Sequence, residues 1–512
     1  MTMPTMFRKR SDRLRLGATT AMAVAIVTAA PAASPPAAAL LRVDHGIVIS
    51  HVTVVDTRDG SLARDMAVVI DGDAITAVRR ARDVTTSGAA KLIDARGKFV
   101  VPGFLDMHAH PLTSGSAATD LRVMLSLGVT GFRQMNGSPE LLARRKAGEL
   151  MPPGAPTLLA MPGTILVGPP FATPEAAVAE VRRQKEQGAD FIKAIDLPAA
   201  ALFAAHAEAK ADGLTITGHL SPFVDVRRAA AMGMDGIEHL GPRESLLLGC
   251  SLQEAALRAD PPSASQRPQS PGVQAGQGGP PPGVAARALA NPIAFTPPAA
   301  FARYAVVLDS YDAAKCRSLA AEFVRNGTWQ TPTLIRLRTM EFGDDPAYVQ
   351  DQNLKYVSRP NRELWLSVAQ QFRTTIGAPA RVELNRLFEA QLALTKLFYD
   401  AHVPMMAGSD LGGGFVVAGY GLHQEFDLLA KAGLPPLAVL QMTTLNGAKY
   451  LHREDTMGTV QAGRVADLVL LDANPIASVV NLHRIGGVVH GGRYYAPADL
   501  EAIRRQAADE LR

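Results

Sequence analysis

The stretch "VPGFLDMHAHP", residues 101–111, carries an apolar run into two histidines separated by one residue. In a strand, residues two apart point to the same face. His108 and His110 are therefore expected to project together from the end of a buried strand. Two imidazoles placed in this way can share one cation, because histidine nitrogens approach zinc to about 2.0–2.1 Å. Alone, the pattern reads as well as two unrelated histidines. The rest of the chain decides between the readings.

Short apolar runs recur downstream, most of them opening on Gly or Pro and closing on a polar residue. They are "GVTGFRQMNG" (128–137), "APTLLAMPG" (155–163), "GADFIKAIDL" (188–197), "GLTITGHLS" (213–221), "GMDGIEHLG" (233–241), "QTPTLIR" (330–336) and "VPMMAGSDLGGG" (403–414). Helical stretches such as "PEAAVAEVRRQKEQ" lie between them. With the run before His108 there are eight, and strands alternating with helices argue for parallel β/α units. The α/β class and a (β/α)8 TIM barrel are expected, with a doubly wound open sheet as the alternative fold.

Several runs end on a costly residue. Lys193, His219, His239 and Asp410 close four of them. Burying such groups is unfavourable unless they are paired or ligate metal. In a barrel all strand C-termini open on one mouth, so these residues would meet His108 and His110 there. Four imidazoles and a carboxylate suit first-row divalent ions, zinc above all. Asp410 also reads as a helix N-cap, since "SDLGGG" can start a turn.

Strand-like segments frame the barrel. Residues 42–102 alternate β-branched and polar residues, and a second patch of this kind spans 458–496. One small β-sandwich domain assembled from both chain ends is expected, with the barrel at 103–457 and a C-terminal helix at 497–512. Residues 259–300 include "DPPSASQRPQSPGVQAGQGGPPPG", and a disordered insertion at the barrel rim is expected there.

The formal charge of +4 over 512 residues is misleading. Arg8, Lys9, Arg10, Arg13 and Arg15 against Asp12 account for all of it, so the remainder is near neutral and nothing points to nucleic acid. The same basic stretch precedes "LGATTAMAVAIVTAA" and then small residues. That is the layout of a secretory signal peptide over residues 1–41. Export to the periplasm or medium is expected, with membrane contact only during translocation, and a homo-oligomer. The two cysteines, Cys250 and Cys316, permit one disulfide in an exported chain or two buried thiols.

Taken together, "PGFLDMHAH", "DFIKAID", "GH", "IEH", "GSD" and the closing "GTVQAGRVADLVLLDANP" resemble the amidohydrolase superfamily. Within it they are most similar to the imidazolonepropionase-related and Xaa-Pro dipeptidase-like branch. The resemblance covers residues 42–495. It implies that His108, His110 and Asp410 bind one metal and that His219 and His239 bind a second. It implies that Lys193, as a carbamate, bridges the two; a mononuclear site beside a structural lysine is the other reading. Asp410 would move the proton of an attacking water. The implied activity is hydrolysis of a C–N amide bond in a dipeptide, an N-acyl amino acid or a cyclic amide. Esterase, lactonase or phosphoesterase chemistry on the same site is an alternative, as is a non-catalytic metal-binding protein.

Arg133 ends the second strand and could clamp a substrate carboxylate or form a structural ion pair. Gln134 follows it where relatives carry an acid. Tyr420 could line the pocket by proximity to Asp410. His423 and Glu425 read as supporting residues, and His206 as a packed histidine.

Overall fold

A computed structural model describes residues 40–241, 244–259 and 282–512. The expected signal peptide falls almost wholly outside them. Among the described residues, no helix is long and apolar enough to cross a membrane.

Seven parallel strands form most of the barrel wall. In order they are Phe104–Ala109, Val129–Gln134, Thr157–Ala160, Phe191–Ile195, Thr215–His219, Gly236–Glu238 and Trp329–Thr331. The first three pair side by side, and so do the last four. Asp190 N–H donates to the Met161 carbonyl at 3.0 Å where the third and fourth strands meet. The eighth run is too irregular to be a full strand, because "AGSDLGGG" holds few residues that favour a pleat. It still joins both neighbours. Met406 N–H donates to the Gln330 carbonyl at 3.0 Å, and Met107 N–H donates to the Ala407 carbonyl at 3.0 Å.

The first strand carries a bulge. Asp106 pairs with Phe132, but Ala109 pairs with Gln134, so one extra residue sits in the first strand. Bulges re-aim side chains. Leu105 and Met107 pack inside with Leu159, Met406 and Tyr450. The extra residue lets His108 also face inward, where strict alternation after Met107 would send it out.

Both chain ends build the second domain. Strand Phe99–Pro102 pairs antiparallel with Leu468–Leu471, which joins the N-terminal strands to Ile485–His490 and Arg493–Tyr495. The result is an eight-stranded sheet. Its second layer is only a parallel pair, Leu41–Val43 with Val84–Thr86, closed over Val48, Ala67 and Val69. Helix Pro497–Glu510 follows, with Leu500 packed on Leu125 and Val488.

The expected disorder at 259–300 needs correction over its described part. Helix Pro282–Ala290, the 3-10 turn Pro292–Phe295 and helix Pro298–Asp309 are ordered elements. These elements carry apolar residues that pack: Ile293, Phe301 and Tyr304 are buried in the barrel's main core. Asn291 fixes the junction, accepting from Ile293 N–H at 2.9 Å and donating to the Met340 carbonyl at 3.0 Å. The remainder of that segment, 260–281, lies outside the described residues.

Candidate active site

Asp410 stands at the centre. One carboxylate oxygen lies 3.0 Å from His110 Nε2 and 3.3 Å from His108 Nε2. The other lies 3.9 Å from His239 Nε2 and 3.3 Å from Arg336 Nε. Lys193 Nζ is 3.2 Å from His108 Nε2. The His219 ring centroid lies 4.7 Å from that of His239. The structure thus brings all six expected residues into one cluster. Donor atoms of His108, His239 and Asp410 all lie within 4.8 Å of one another, a group that could hold a metal ion. This trio mixes the two expected ligand sets, because Asp410 stands between them.

The two histidines of the trio are held in a ligand-ready state. His108 Nδ1 is 2.7 Å from the Glu238 carboxylate, both residues being fully buried. Arg133 pairs with the other Glu238 oxygen at 2.7 Å, and Thr217 donates to it at 2.6 Å. Burial opposes ionisation of Glu238, but Arg133 and His108 hold its carboxyl well below the usual range. An ionised carboxylate only accepts, so Nδ1 of His108 carries a proton, and in the neutral imidazole Nε2 then presents its lone pair. His239 is fixed by the same logic. Its Nδ1 lies 2.5 Å from the Thr333 hydroxyl, which donates its own proton to the Pro332 carbonyl at 2.8 Å. The hydroxyl must therefore accept from Nδ1–H, leaving Nε2 bare.

Burial dominates the electrostatics of the cluster. Burial holds His219 and His239 well below the ordinary histidine value. Burial also takes His110 down to about 4, against the pull of Asp410. Burial alone would raise Asp410, but His239 and His108 hold it well below the usual carboxylate range. Lys193 is pushed down to about 8 by burial. His219 Nε2 is buried without a hydrogen-bond partner. An orphaned imidazole nitrogen beside two inward lone pairs and an ionised carboxylate is a donor set lacking an acceptor, and a divalent cation fits it.

The backbone is bent to make this cluster. His239, Thr333 and Asp410 have φ of 58°, 45° and 56°. Non-glycine residues in this region cost energy and gather at functional sites. Beneath Asp410, Asp106 accepts from Ser409 N–H at 2.9 Å and from its hydroxyl at 2.6 Å.

Of the two substrate-binding candidates, Arg133 takes the structural ion pair that was its other reading, and Tyr420 packs on another aromatic ring. Arg133 is fully buried, its Nε donating to the Met107 carbonyl at 2.7 Å and its Nη2 to Glu238 at 2.7 Å. Tyr420 stacks on Tyr356 with ring centroids 5.5 Å apart, and burial there raises its phenol. None of its contacts is to the cluster. His423 donates from Nε2 to, or accepts at, no site residue; its partner is the Leu127 carbonyl at 2.9 Å. Glu425 caps Ile335 N–H at 2.8 Å. His206 is buried. Cys250 and Cys316 form a disulfide. Glu238, Thr333 and Arg336 were not singled out from the sequence. Their signal was a charged or hydroxyl residue inside a strand-like run, in "GIEHL" and "QTPTLIR".

Fold and site together define a TIM-barrel architecture with a candidate metal cluster at the strand ends. Comparison makes this more particular: residues 385–493 match the Amidohydrolase family model. Bottromycin amidohydrolase is similar in structure, with TM-score 0.65 and 20% identity over 91% of this chain and 90% of that one. A Xaa-Pro dipeptidase with bound methionine gives TM-score 0.57 and 17% identity over 88% and 99%. An adenine deaminase of Rubrobacter xylanophilus is 35% identical over 86 residues, 17% of this chain and 14% of its own length. An imidazolonepropionase of Streptomyces griseus is 33% identical over 86 residues, 15% of this chain and 22% of its own length. The chain thus spans less than a quarter of the length of either of these curated relatives.

Proposed function

We propose that the protein is a metal-dependent hydrolase of C–N amide bonds in small substrates: a dipeptide, an N-acyl amino acid or a cyclic amide. One observation carries this reading. The buried trio of His108, His239 and Asp410 has both imidazoles locked with Nε2 turned inward, next to the orphaned His219 nitrogen. Zinc is the ion that best suits imidazoles with a carboxylate. A divalent ion bound there supplies the positive charge that acidifies a water and polarises a carbonyl.

The chain's own residues do the rest. Asp410, ionised at neutral pH, accepts the proton of the attacking water and returns it to the leaving nitrogen. Glu238 and Thr333 keep His108 and His239 in the one tautomer that can ligate. Lys193, brought to about 8 by burial, has a neutral fraction at physiological pH. That free amine can add CO2 and release a proton, becoming an anionic carbamate that suits a two-ion site. Export is part of the reading, supported by the basic-then-apolar layout of residues 1–41.

The test is a panel of dipeptides, N-acyl amino acids and matched esters with zinc-loaded protein, run beside Asp410→Asn. Amide turnover that vanishes in the variant is expected. Undiminished turnover in Asp410→Asn would sink the mechanism.

A further inference from the structure

The chain leaves the barrel after Cys250 and returns at Tyr311, and the neck of this excursion is fastened at both sides. Cys250 is bonded to Cys316, and Ser251 bridges Tyr311 antiparallel. Leu252 N–H donates to the Ser310 carbonyl at 2.8 Å, and Asp312 N–H to the Cys250 carbonyl at 2.9 Å. The excursion then reaches the candidate site through the end of helix Pro282–Ala290. Arg336 Nη1 donates to the Ala290 carbonyl at 2.9 Å and Nη2 to the Leu289 carbonyl at 2.7 Å. Carbonyls at a helix C-terminus carry its negative end and suit a guanidinium. The Nε edge of the same guanidinium lies 3.3 Å from Asp410. Gly414 N–H, in the loop that follows Asp410, donates to the same Ala290 carbonyl at 3.0 Å.

Arg336 is only 4% exposed, and all three nitrogens are engaged, so it is not placed to hold a substrate. Asp410 needs an outside hold. Its backbone lies in the left-handed region, and the histidines His108 and His110 meet only one of its oxygens closely. Arg336 supplies the contact to the other. The sequence makes room for it: a Cβ at Gly413 would stand 2.6 Å from the Arg336 guanidinium.

We propose that Arg336 is a positioning residue that couples Asp410 to the C-terminal end of helix Pro282–Ala290, so that this helix end is a working part of the site. This rests on the reading of Asp410 as proton acceptor. The helix end holds the guanidinium, and the guanidinium holds the carboxylate at the angle the proton transfer needs. A misplacement of about 1 Å at a reacting group costs roughly 100-fold in rate.

Two variants test it by different routes. Arg336→Ala removes the strut; Gly413→Ala keeps every charge but pushes the guanidinium aside, and serves should the first not fold. Each is assayed for kcat and KM on an amide cleaved by the wild type, and the metal-free proteins are followed by hydrogen exchange at 409–414. The expected result is a roughly 100-fold fall in kcat with KM unchanged, faster exchange at 409–414, and partial recovery of Arg336→Ala by added guanidinium chloride. Unchanged kcat and unchanged exchange in both variants overturns the coupling. So does a loss in Arg336→Ala that guanidinium does not restore while Gly413→Ala is unimpaired. Asp410→Asn, run alongside, separates the two claims: an inactive Asp410→Asn beside unimpaired Arg336 and Gly413 variants sinks only the coupling, and an active one sinks the reading of Asp410 itself.

Discussion

Glu238 illustrates how much one buried side chain can govern here. Its two oxygens receive His108, Arg133 and Thr217, and none of these four residues is exposed. Replacing it by glutamine keeps the volume but allows an amide nitrogen to face His108 Nδ1. The proton would then be free to move to Nε2, where a ligand lone pair is needed. Glu238→Gln is expected to weaken zinc binding by about 10–100-fold, measured by competition with a chelator, while Arg133 is left as a buried charge with a poorer partner. Affinity equal to wild type would remove Glu238 from the account of the site. Glu238 adjoins His239 in "GIEHL", and the sequence offered the histidine first. Which neighbour turns inward depends on backbone twist: His239 has a positive φ, so both consecutive residues face the cluster. No alternation rule predicts that.

At the scale of elements, the helix Leu334–Glu341 begins on a strained residue and borrows its cap from another helix. Thr333 precedes it with φ 45° and makes no side-chain cap. Glu425, from helix Tyr420–Lys431, accepts from Ile335 N–H instead. Burial raises the Glu425 carboxyl to about 8, and its second oxygen has no partner. The folded form therefore binds a proton more tightly than the unfolded chain, whose carboxyl titrates near 4.5. Stability from this group is full below about 4.5 and is lost as pH rises through about 8. Glu425→Gln keeps the cap and removes the titration. The melting temperature of the variant relative to wild type is expected to rise steadily between pH 4.5 and 8. A pH-independent difference would show that Glu425 is neutral or charged in both states alike. The first strand makes the companion point: "FLDMHAH" reads as a strand, yet the bulge at 106–109 is visible only once its partner is in place.

At the scale of the whole molecule, the Cys250–Cys316 bond closes a loop of 66 residues. Cross-links of this span stabilise mainly by restricting the unfolded chain, by about 2–4 kcal/mol. The double variant Cys250→Ser, Cys316→Ser is expected to lose stability of this order in denaturant titration, and wild type treated with reductant should match it. A variant as stable as the oxidised protein would mean that the hydrogen bonds of the neck suffice. The excursion it closes was read from composition as disordered through residue 300. Its described part folds because Ile293, Phe301 and Tyr304 find buried partners from distant segments, a gain that local composition does not register.

The sequence by itself determined the α/β alternation, the barrel it implies, and the residues that end its strands, because hydrophobic period and turn chemistry are local properties. It also marked both strand-rich ends, and the pairing of Phe99–Pro102 with Leu468–Leu471 makes them one sheet. Only the tertiary structure decided which polar groups support the cluster. Arg133 becomes the partner of Glu238 and Arg336 the partner of Asp410, since each pairing joins segments at least 74 residues apart or across the barrel. Such contacts are set by where the closed barrel and its excursion bring side chains in space, and no pattern along the chain records that distance.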